Sequence, residues 1–289
     1  MRAFIELTKP RQMALLLLTM YGSYIVAGGP LDPILLAKLT IMGVTSVGGV
    51  TALNMYLDSD VDALMKRTRR RPLPSGRLTV TEALAGIAIM LLVGVTTAAA
   101  INVYVLFTVL AGLYFDIIGY TELTKRFTPL NIFLGSIAGA MPALGGWAAG
   151  AGSIGLPGIM LAGVVFTWQP LHVWFLAYFL EDDYRMAKVP MASLYYGPRL
   201  FSVMVASSLT LMALLILAFI YLTGRGYVSA AVSLILIVLA ILRVFSFAST
   251  PSRGEAFRIF KLATPVLAVV YILLPLEFLV KVYVGIPPI

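Results

Sequence analysis

Three polar residues recur at four-residue spacing where a long apolar segment ends: Asn54, Asp58 and Asp62. On a helix this spacing places the three side chains on one stripe, whereas Asp60 points elsewhere. Two carboxylates and an amide carbonyl suit a hard cation such as Mg²⁺, which takes oxygen ligands and leaves positions open for water or substrate phosphates. The alternative is that Asp62 pairs with Lys66 and that Asp58 is merely hydrated. The complete stripe favours the metal site.

A run of basic residues follows these carboxylates directly. Arg67 and Arg71 belong to it, and the fork of a guanidinium group matches the geometry of phosphate oxygens. Other cations of the run would fix the topology or contact lipid headgroups. Carboxylates followed by cations therefore predict a site for a metal-bound diphosphate.

A second acidic cluster, Glu181-Asp182-Asp183, follows a later apolar segment and precedes Arg185 and Lys188. An even number of predicted spans separates the two clusters, so both emerge on the same face of the membrane. Charged groups are costly in a membrane protein and usually mark function. We therefore expect the two clusters to bracket one metal-bound diphosphate.

Four further residues are candidates for substrate contacts. Lys125 and Arg126 form a third set of cations on the same face, and the ring of Tyr120 could stabilise an allylic cation. The alternative for Tyr120 is a place in the aromatic belt of the membrane interface. His172, the only histidine, lies in an apolar segment beside Pro170. It could hydrogen-bond across the bundle, bind haem iron or transfer a proton.

The composition shows which elements must position these residues. Sixty per cent of the 289 residues are apolar, 12% are charged and the mean hydropathy is +0.96, whereas a water-soluble domain carries about 25% charged residues. We predict an all-α integral membrane protein, a single domain over residues 1–289, with membrane lipid as its solvent. Its nine transmembrane helices of about 20 residues are predicted at 12–28, 35–57, 82–100, 102–120, 130–149, 157–180, 201–223, 228–248 and 261–285.

The distribution of lysine and arginine orients this bundle. With a cytoplasmic N-terminus and nine spans, the inner segments hold 18 of the 21 basic residues, in line with the preference of these cations for the cytoplasmic side. The C-terminus then lies outside, and the candidate site faces the cytoplasm. The net charge of +8 is thus a topology signal, and no nucleic-acid partner is expected. The lack of cysteine excludes disulfides and thiolate metal sites.

The sequence resembles the UbiA superfamily of intramembrane prenyltransferases. The stripe formed by Asn54, Asp58 and Asp62 matches the first motif of that superfamily, and nine helices are its fold. Within the superfamily, the chain is most similar to the branch that farnesylates protoheme IX, or haem b. Three stretches carry this likeness, at 58–76, 120–147 and 168–191.

The resemblance implies an activity in the cell membrane and a set of residue roles. A farnesyl group would pass from farnesyl diphosphate to the vinyl group of haem b, giving haem O, with Mg²⁺ as cofactor and a haem A synthase acting downstream. The implied metal ligands are Asp58, Asp62 and one or both of Asp182 and Asp183. The implied phosphate contacts are Asn54, Arg67, Arg71, Lys125 and Lys188, and His172 would touch the haem.

Two alternatives remain open at this point. The first keeps the enzyme and changes the acceptor to an aromatic or lipid molecule. The second is a secondary transporter for an anionic or Mg²⁺-bound solute. Transporters place their sites near the membrane midplane, whereas these clusters lie at one face, which favours the enzyme.

Overall fold

The computed structural model describes residues 2–283, and these residues form a helical bundle. Most helices begin and end within a few residues of their predicted limits. The helices are α1 (Arg2–Leu7), α2 (Pro10–Val26), α3 (Pro33–Leu57), α4 (Ser59–Leu64), α5 (Val80–Ala99), α6 (Val103–Leu113, continued by a π-helix, Tyr114–Glu122), α7 (Ile132–Ala151), α8 (Leu156–Phe179), α9 (Glu181–Met186), α10 (Ala192–Tyr195), α11 (Pro198–Thr223), α12 (Tyr227–Ser249) and α13 (Arg253–Tyr283).

Eight helices among the described residues are long and apolar enough to cross a membrane. They coincide with the second to ninth predicted spans, so the prediction of a multi-pass helical membrane protein is confirmed. The first predicted span is α2, whose 17 residues lie at the short end of the length that a crossing needs. The count of nine therefore stays a prediction.

The last predicted span begins too late. Helix α13 starts at Arg253, eight residues before the predicted start at 261. Hydropathy detects only the apolar part of a helix, and the first turns of α13 are charged. Glu255 accepts hydrogen bonds from Arg243 of α12 and from Arg258, each at 3.1 Å, which stabilises these turns. The predicted end at 285 lies outside the described residues.

The two parts of the bundle are packed differently. Helices α8, α11, α12 and α13 pack around large aromatic side chains, including Trp174, Phe175, Phe201 and Phe247, all of which are fully buried. Helices α2, α3, α6 and α7 instead surround a cavity. The solid part supports one wall of the cavity, because α7 packs against α8.

Small residues let neighbouring helices approach closely. A Cβ atom on Gly146 of α7 would overlap the carbonyl oxygen of Met20 in α2. A Cβ atom on Gly94 of α5 would lie 2.9 Å from the main-chain nitrogen of Ser46 in α3. Glycine at both positions therefore fixes how the helices around the cavity cross.

Glu277, a carboxylate inside the last span, has a structural partner. Its Oε2 atom accepts a hydrogen bond of 3.1 Å from the main-chain nitrogen of Ser229 in the first turn of α12. The first main-chain N–H groups of a helix lack partners within the helix, and a carboxylate is favoured there. Glu277 therefore caps a helix far from the candidate site.

Candidate active site

A cavity of about 310 Å³ opens between α2, α3, α6, α7 and α8. Its two ends differ in chemistry. The polar end is lined by Asn54, Asp58, Asp62, Arg67, Arg71, Tyr120, Lys125 and Tyr184. The apolar end is lined by Leu16, Met20, Met42, Val47, Val109, Leu113 and Met141. Along α3 the lining runs from Asp58 to Met42, which is about 24 Å at the rise of an α-helix.

The two buried carboxylates of the polar end each bind a cation from another part of the chain. Asp58, only 3% exposed, forms an ion pair with Lys125, which follows the π-helix. Asp62, 4% exposed, accepts from Nη1 of Arg71 at 2.7 and 2.6 Å through its two oxygens. The alternative pairing of Asp62 with Lys66 is wrong, because the chain turns after α4 and brings Arg71 back to the carboxylate.

The predicted stripe survives a break between two helices. Helix α3 ends at Leu57 and α4 begins at Ser59, with Asp58 at the junction. The main-chain nitrogens of Asp58 and Asp62 still donate to the carbonyl oxygens four residues earlier, at 2.9 and 2.8 Å. Asn54, Asp58 and Asp62 therefore face the same cavity, while Asp60 lies outside and binds Arg126 at 2.7 and 2.8 Å.

The π-helix keeps a second row of residues on the cavity wall. Thr108, Gly112, Asp116 and Tyr120 all line the cavity at four-residue spacing. In an α-helix such a row drifts by about 40° at each step. The wider turns of Tyr114–Glu122 rotate less per residue and offset the drift, which places Asp116 and Tyr120 in the site.

Tyr120 presents its ring at the polar end of the cavity. A Cβ atom on Gly135 of α7 would lie 3.1 Å from this ring, so the ring packs directly on the α7 backbone. The ammonium group of Lys125 lies 5.4 Å from the ring centre. The ring face is therefore placed to interact with a positive charge.

The donor set of the polar end fits Mg²⁺. The hydroxyl group of Thr121 donates a hydrogen bond of 2.8 Å to the carbonyl oxygen of Asp116. Its oxygen therefore accepts the 2.7 Å hydrogen bond from the Asn54 amide nitrogen. This leaves the Asn54 amide oxygen available. Oδ1 of Asp58 is buried and has no hydrogen-bond partner among the described residues. Oxygen donors of this kind suit a hard cation, although residues 2–283 hold no ready cluster of three metal-binding side chains.

Asp183 joins the second acidic cluster to the first. Its oxygens accept hydrogen bonds from the main-chain nitrogens of Lys66 and Arg67 at 3.0 and 3.4 Å. The side chain is 7% exposed and does not line the cavity. Asp183 thus holds the turn that carries Arg67 into the polar end. Its role as a metal ligand stays a prediction.

Four other predicted site residues lie outside the cavity: Asp182, Lys188, His172 and Arg126, the last of which binds Asp60. Asp182 is exposed and binds Arg253 at 2.7 Å through both oxygens, because consecutive residues of a helix point about 100° apart and Asp182 therefore does not share the buried face of Asp183. Lys188 is exposed in a left-handed turn after α9. The ring of His172 stacks on Trp168 at 4.5 Å and lies 4.8 Å from the Phe260 ring of α13.

Two cavity residues had not been assigned a role from the sequence. Lys9 lies just before α2 with a left-handed backbone, φ 46°, which is uncommon for a residue with a side chain. Burial, followed by the nearby charges of Arg71 and Lys125, lowers the pKa of Lys9 to about 8. Asp116 carries a carboxylate into the same cavity. The sequence signal for each was a charge beside an apolar segment, without a motif around it.

The fold and the two-ended cavity define a class of protein, a multi-pass helical membrane protein with a cavity that is charged at one end and apolar at the other. The chain matches the UbiA prenyltransferase family over residues 15–265 and belongs to that family. The chain is therefore a transferase, and its predicted superfamily is confirmed.

Two individual relatives show which members of the UbiA family this chain is similar to. The chain is 58% identical to the protoheme IX farnesyltransferase of Aeropyrum pernix, over 96% of this chain and 92% of the relative. It is 41% identical to the enzyme of the same name from Korarchaeum cryptofilum, over 96% and 94%. The predicted likeness to the haem-farnesylating branch is confirmed, and it extends well past residue 191, where the last of the three matching stretches ends.

Solved structures share the fold. A UbiA homolog from Aeropyrum pernix has a TM-score of 0.75 at 21% identity, covering 96% of this chain and 98% of that chain. A UbiA homolog from Archaeoglobus fulgidus bound to GPP and Mg²⁺ has a TM-score of 0.63 at 17% identity, covering 93% and 98%. These matches support the all-helical UbiA fold of the chain.

Proposed function

We propose that this chain transfers the farnesyl group of farnesyl diphosphate to the vinyl group of haem b, giving haem O. The observation that carries the proposal is the two-ended cavity, which pairs carboxylates and cations at one end with an apolar lining at the other. An amphipathic prenyl diphosphate has the same two ends. The relatives named protoheme IX farnesyltransferase support the choice of haem as acceptor.

The cations of the polar end would hold the diphosphate. Arg67, Arg71 and Lys125 all line that end, and guanidinium groups bind phosphate oxygens in a forked geometry. Arg71 and Lys125 are paired with carboxylates. We expect both to turn toward the diphosphate oxygens, which leaves Asp58 and Asp62 free to bind a metal.

Asp58, Asp62 and the amide oxygen of Asn54 would hold Mg²⁺. The bound ion would supply positive charge that stabilises the departing pyrophosphate. The protein places Tyr120 beside this end, where its ring face can stabilise the allylic cation. The apolar lining excludes water from the farnesyl chain and keeps it extended along α3.

We further propose that the active site faces the cytoplasm in the cell membrane, with the N-terminus inside. The loop 65–79 that carries Arg67 and Arg71 holds six basic residues, as cytoplasmic segments commonly do. Arg126, bound to Asp60 outside the cavity, and Lys188 would then lie near the lipid headgroups. A haem A synthase would act downstream on the product.

Mass spectrometry of the product tests the proposal. Membranes containing the full chain are given haem b, farnesyl diphosphate and Mg²⁺, and the expected product is haem with a hydroxyethylfarnesyl side chain. EDTA should abolish the product and added Mg²⁺ should restore it. A prenylated aromatic or lipid molecule, formed while haem b stays unchanged, would overturn the choice of acceptor.

A further inference from the structure

Asp116 is a carboxylate in the cavity that the proposed binding of metal and diphosphate does not use. The hydroxyl of Thr121 donates to its main-chain oxygen, and Thr121 accepts from Asn54. Asp116 therefore lies one turn farther from the loops than Asn54. This level is next to the diphosphate site, on its apolar side, where the reacting carbon atoms would lie.

The carboxylate of Asp116 has no fixed partner. Among the described residues, no ion pair and no hydrogen bond to its side chain is formed, whereas Asp58, Asp60 and Asp62 each bind a cation. A free carboxylate is costly within a membrane span and usually marks function. The cavity continues beside it, because Gly112, one turn earlier on the same helix, also lines the cavity.

We propose that Asp116 is a catalytic residue that accepts the proton of the water molecule completing the product. This inference rests on the proposed function. The bond between C1 of the farnesyl group and oxygen breaks, and its electron pair leaves with pyrophosphate. The vinyl π electrons form the new bond to C1, which leaves a cation on the side-chain carbon next to the haem ring. Water bonds to that carbon, and its proton passes to Asp116.

The other groups in the cavity are less suited to this step. Asp58 and Asp62 are committed to the metal, and the cations Lys9 and Lys125 cannot accept a proton while they are charged. Asp116 combines an acceptor oxygen with a position between the polar and apolar ends. A general base must lie within reach of the proton that it removes, and a base contributes about 10²- to 10⁴-fold to a rate.

The test follows each step separately in purified full-length protein, reconstituted in lipid nanodiscs with haem b, farnesyl diphosphate and Mg²⁺. In Asp116→Asn we expect the hydroxyethylfarnesyl product to fall about 100-fold. Pyrophosphate release should persist, and a product lighter by one water, or free farnesol, should appear. The affinity for farnesyl thiodiphosphate, a slowly reacting analogue, should stay within about twofold of the wild type, because Asp116 does not hold the diphosphate.

Three further variants sharpen the result. Glu122→Gln removes an exposed carboxylate from the same π-helix and should leave rate and product unchanged. Asp116→Glu keeps the carboxylate and should restore part of the hydroxylated product. Asp116→Ser should reproduce the pattern of the asparagine variant if the latter fails to fold.

Two outcomes would overturn the inference alone. An unchanged rate and product in Asp116→Asn, beside normal wild-type turnover, would leave the residue without a role in the reaction. A large loss of affinity for the diphosphate analogue would instead make it a binding residue. Failure of the wild type to prenylate haem b would overturn the proposed function first, and this inference with it.

Discussion

Asp58 and Asp62 are the residues at which the proposed function would bring in two partners of opposite charge, a metal ion and a diphosphate. Each carboxylate is buried and paired with a cation, so neither charge stands alone in a poorly solvating environment. A diphosphate with its metal brings both signs of charge at once. The carboxylates and the cations can exchange partners without leaving any buried group uncompensated.

The first prediction concerns the carboxylates that we propose bind the metal. Asp58→Asn should lower turnover at least about 100-fold, because it removes charge from the site with little change in side-chain volume. Asp60→Asn is the matched control, since Asp60 lies outside the cavity on Arg126, and it should stay near the wild-type rate. Steady-state turnover of haem b checks both variants. Equal rates in the two would remove Asp58 from the metal site.

The second prediction concerns Lys9 and pH. Its pKa of about 8 means that the amine is charged at pH 7 and largely neutral at pH 9.5. An anion binds better to the charged form, so the affinity for farnesyl thiodiphosphate should be highest near pH 7, decline through pH 8 and be about tenfold lower at pH 9.5. Calorimetry from pH 7 to 9.5 measures this. In Lys9→Gln the decline should disappear, and a decline that persists there would assign it to another group.

At the scale of the element, helix geometry decides which side chains reach the cavity. The π-helix turns Asp116 and Tyr120 into the site, and the junction at Asp58 lets α4 continue the stripe that begins on α3. On α8, helix geometry turns His172 away from the cavity. Gln169 and Val173 line the cavity, whereas His172 faces Trp168 and the α13 ring of Phe260.

The third prediction follows from that position of His172. The Nδ1 atom is buried and has no hydrogen-bond partner within residues 2–283, so the ring contributes mainly by packing. His172→Phe should keep haem turnover within about twofold of the wild type and leave the thermal midpoint unchanged or higher, because a buried polar atom without a partner is removed. His172→Ala, which leaves a gap between two rings, should lower the midpoint. Loss of haem binding in His172→Phe would restore the proposed haem contact.

At the scale of the whole molecule, the helices packed around the aromatic core support the helices that surround the cavity. The aromatic core between α8, α11, α12 and α13 fixes α8, and α7 packs on α8. Helix α2 then packs on α7, at the close approach of Met20 to Gly146. The cavity keeps its shape because the helices that line it are supported, through α7 and α8, by the aromatic core.

The fourth prediction tests that close approach. Gly146→Ala would place a methyl group on the Met20 carbonyl oxygen, which forces the α2 and α7 backbones apart. We expect a loss of stability of about 2 kcal/mol, typical of overpacking, seen as a lower thermal midpoint in detergent. Gly197→Ala is the control, because no atom of the part of the chain that the structure describes lies within 4 Å of its added Cβ atom. Equal midpoints in the two variants would show that the bundle adjusts freely at this crossing.

The sequence by itself determined the features that depend on neighbouring residues. Hydropathy located eight of the predicted spans within a few residues at most ends, since a lipid-facing helix must be apolar along its length. Thr79 and Glu82, three residues apart, form the capping box that begins α5, a start signal that depends only on neighbouring residues. The sequence also predicted the polar stripe formed by Asn54, Asp58 and Asp62, and the likeness to the UbiA family.

Only the tertiary structure decided which charged groups meet. Asp62 binds Arg71 rather than Lys66, Asp183 rather than Asp182 turns toward the first motif, and Lys9 enters the cavity without any motif. These outcomes depend on how far each helix is rotated about its axis and on which helix lies behind it. Contacts between distant parts of the chain set that rotation, so it cannot be predicted from the residues next to each charge in the sequence.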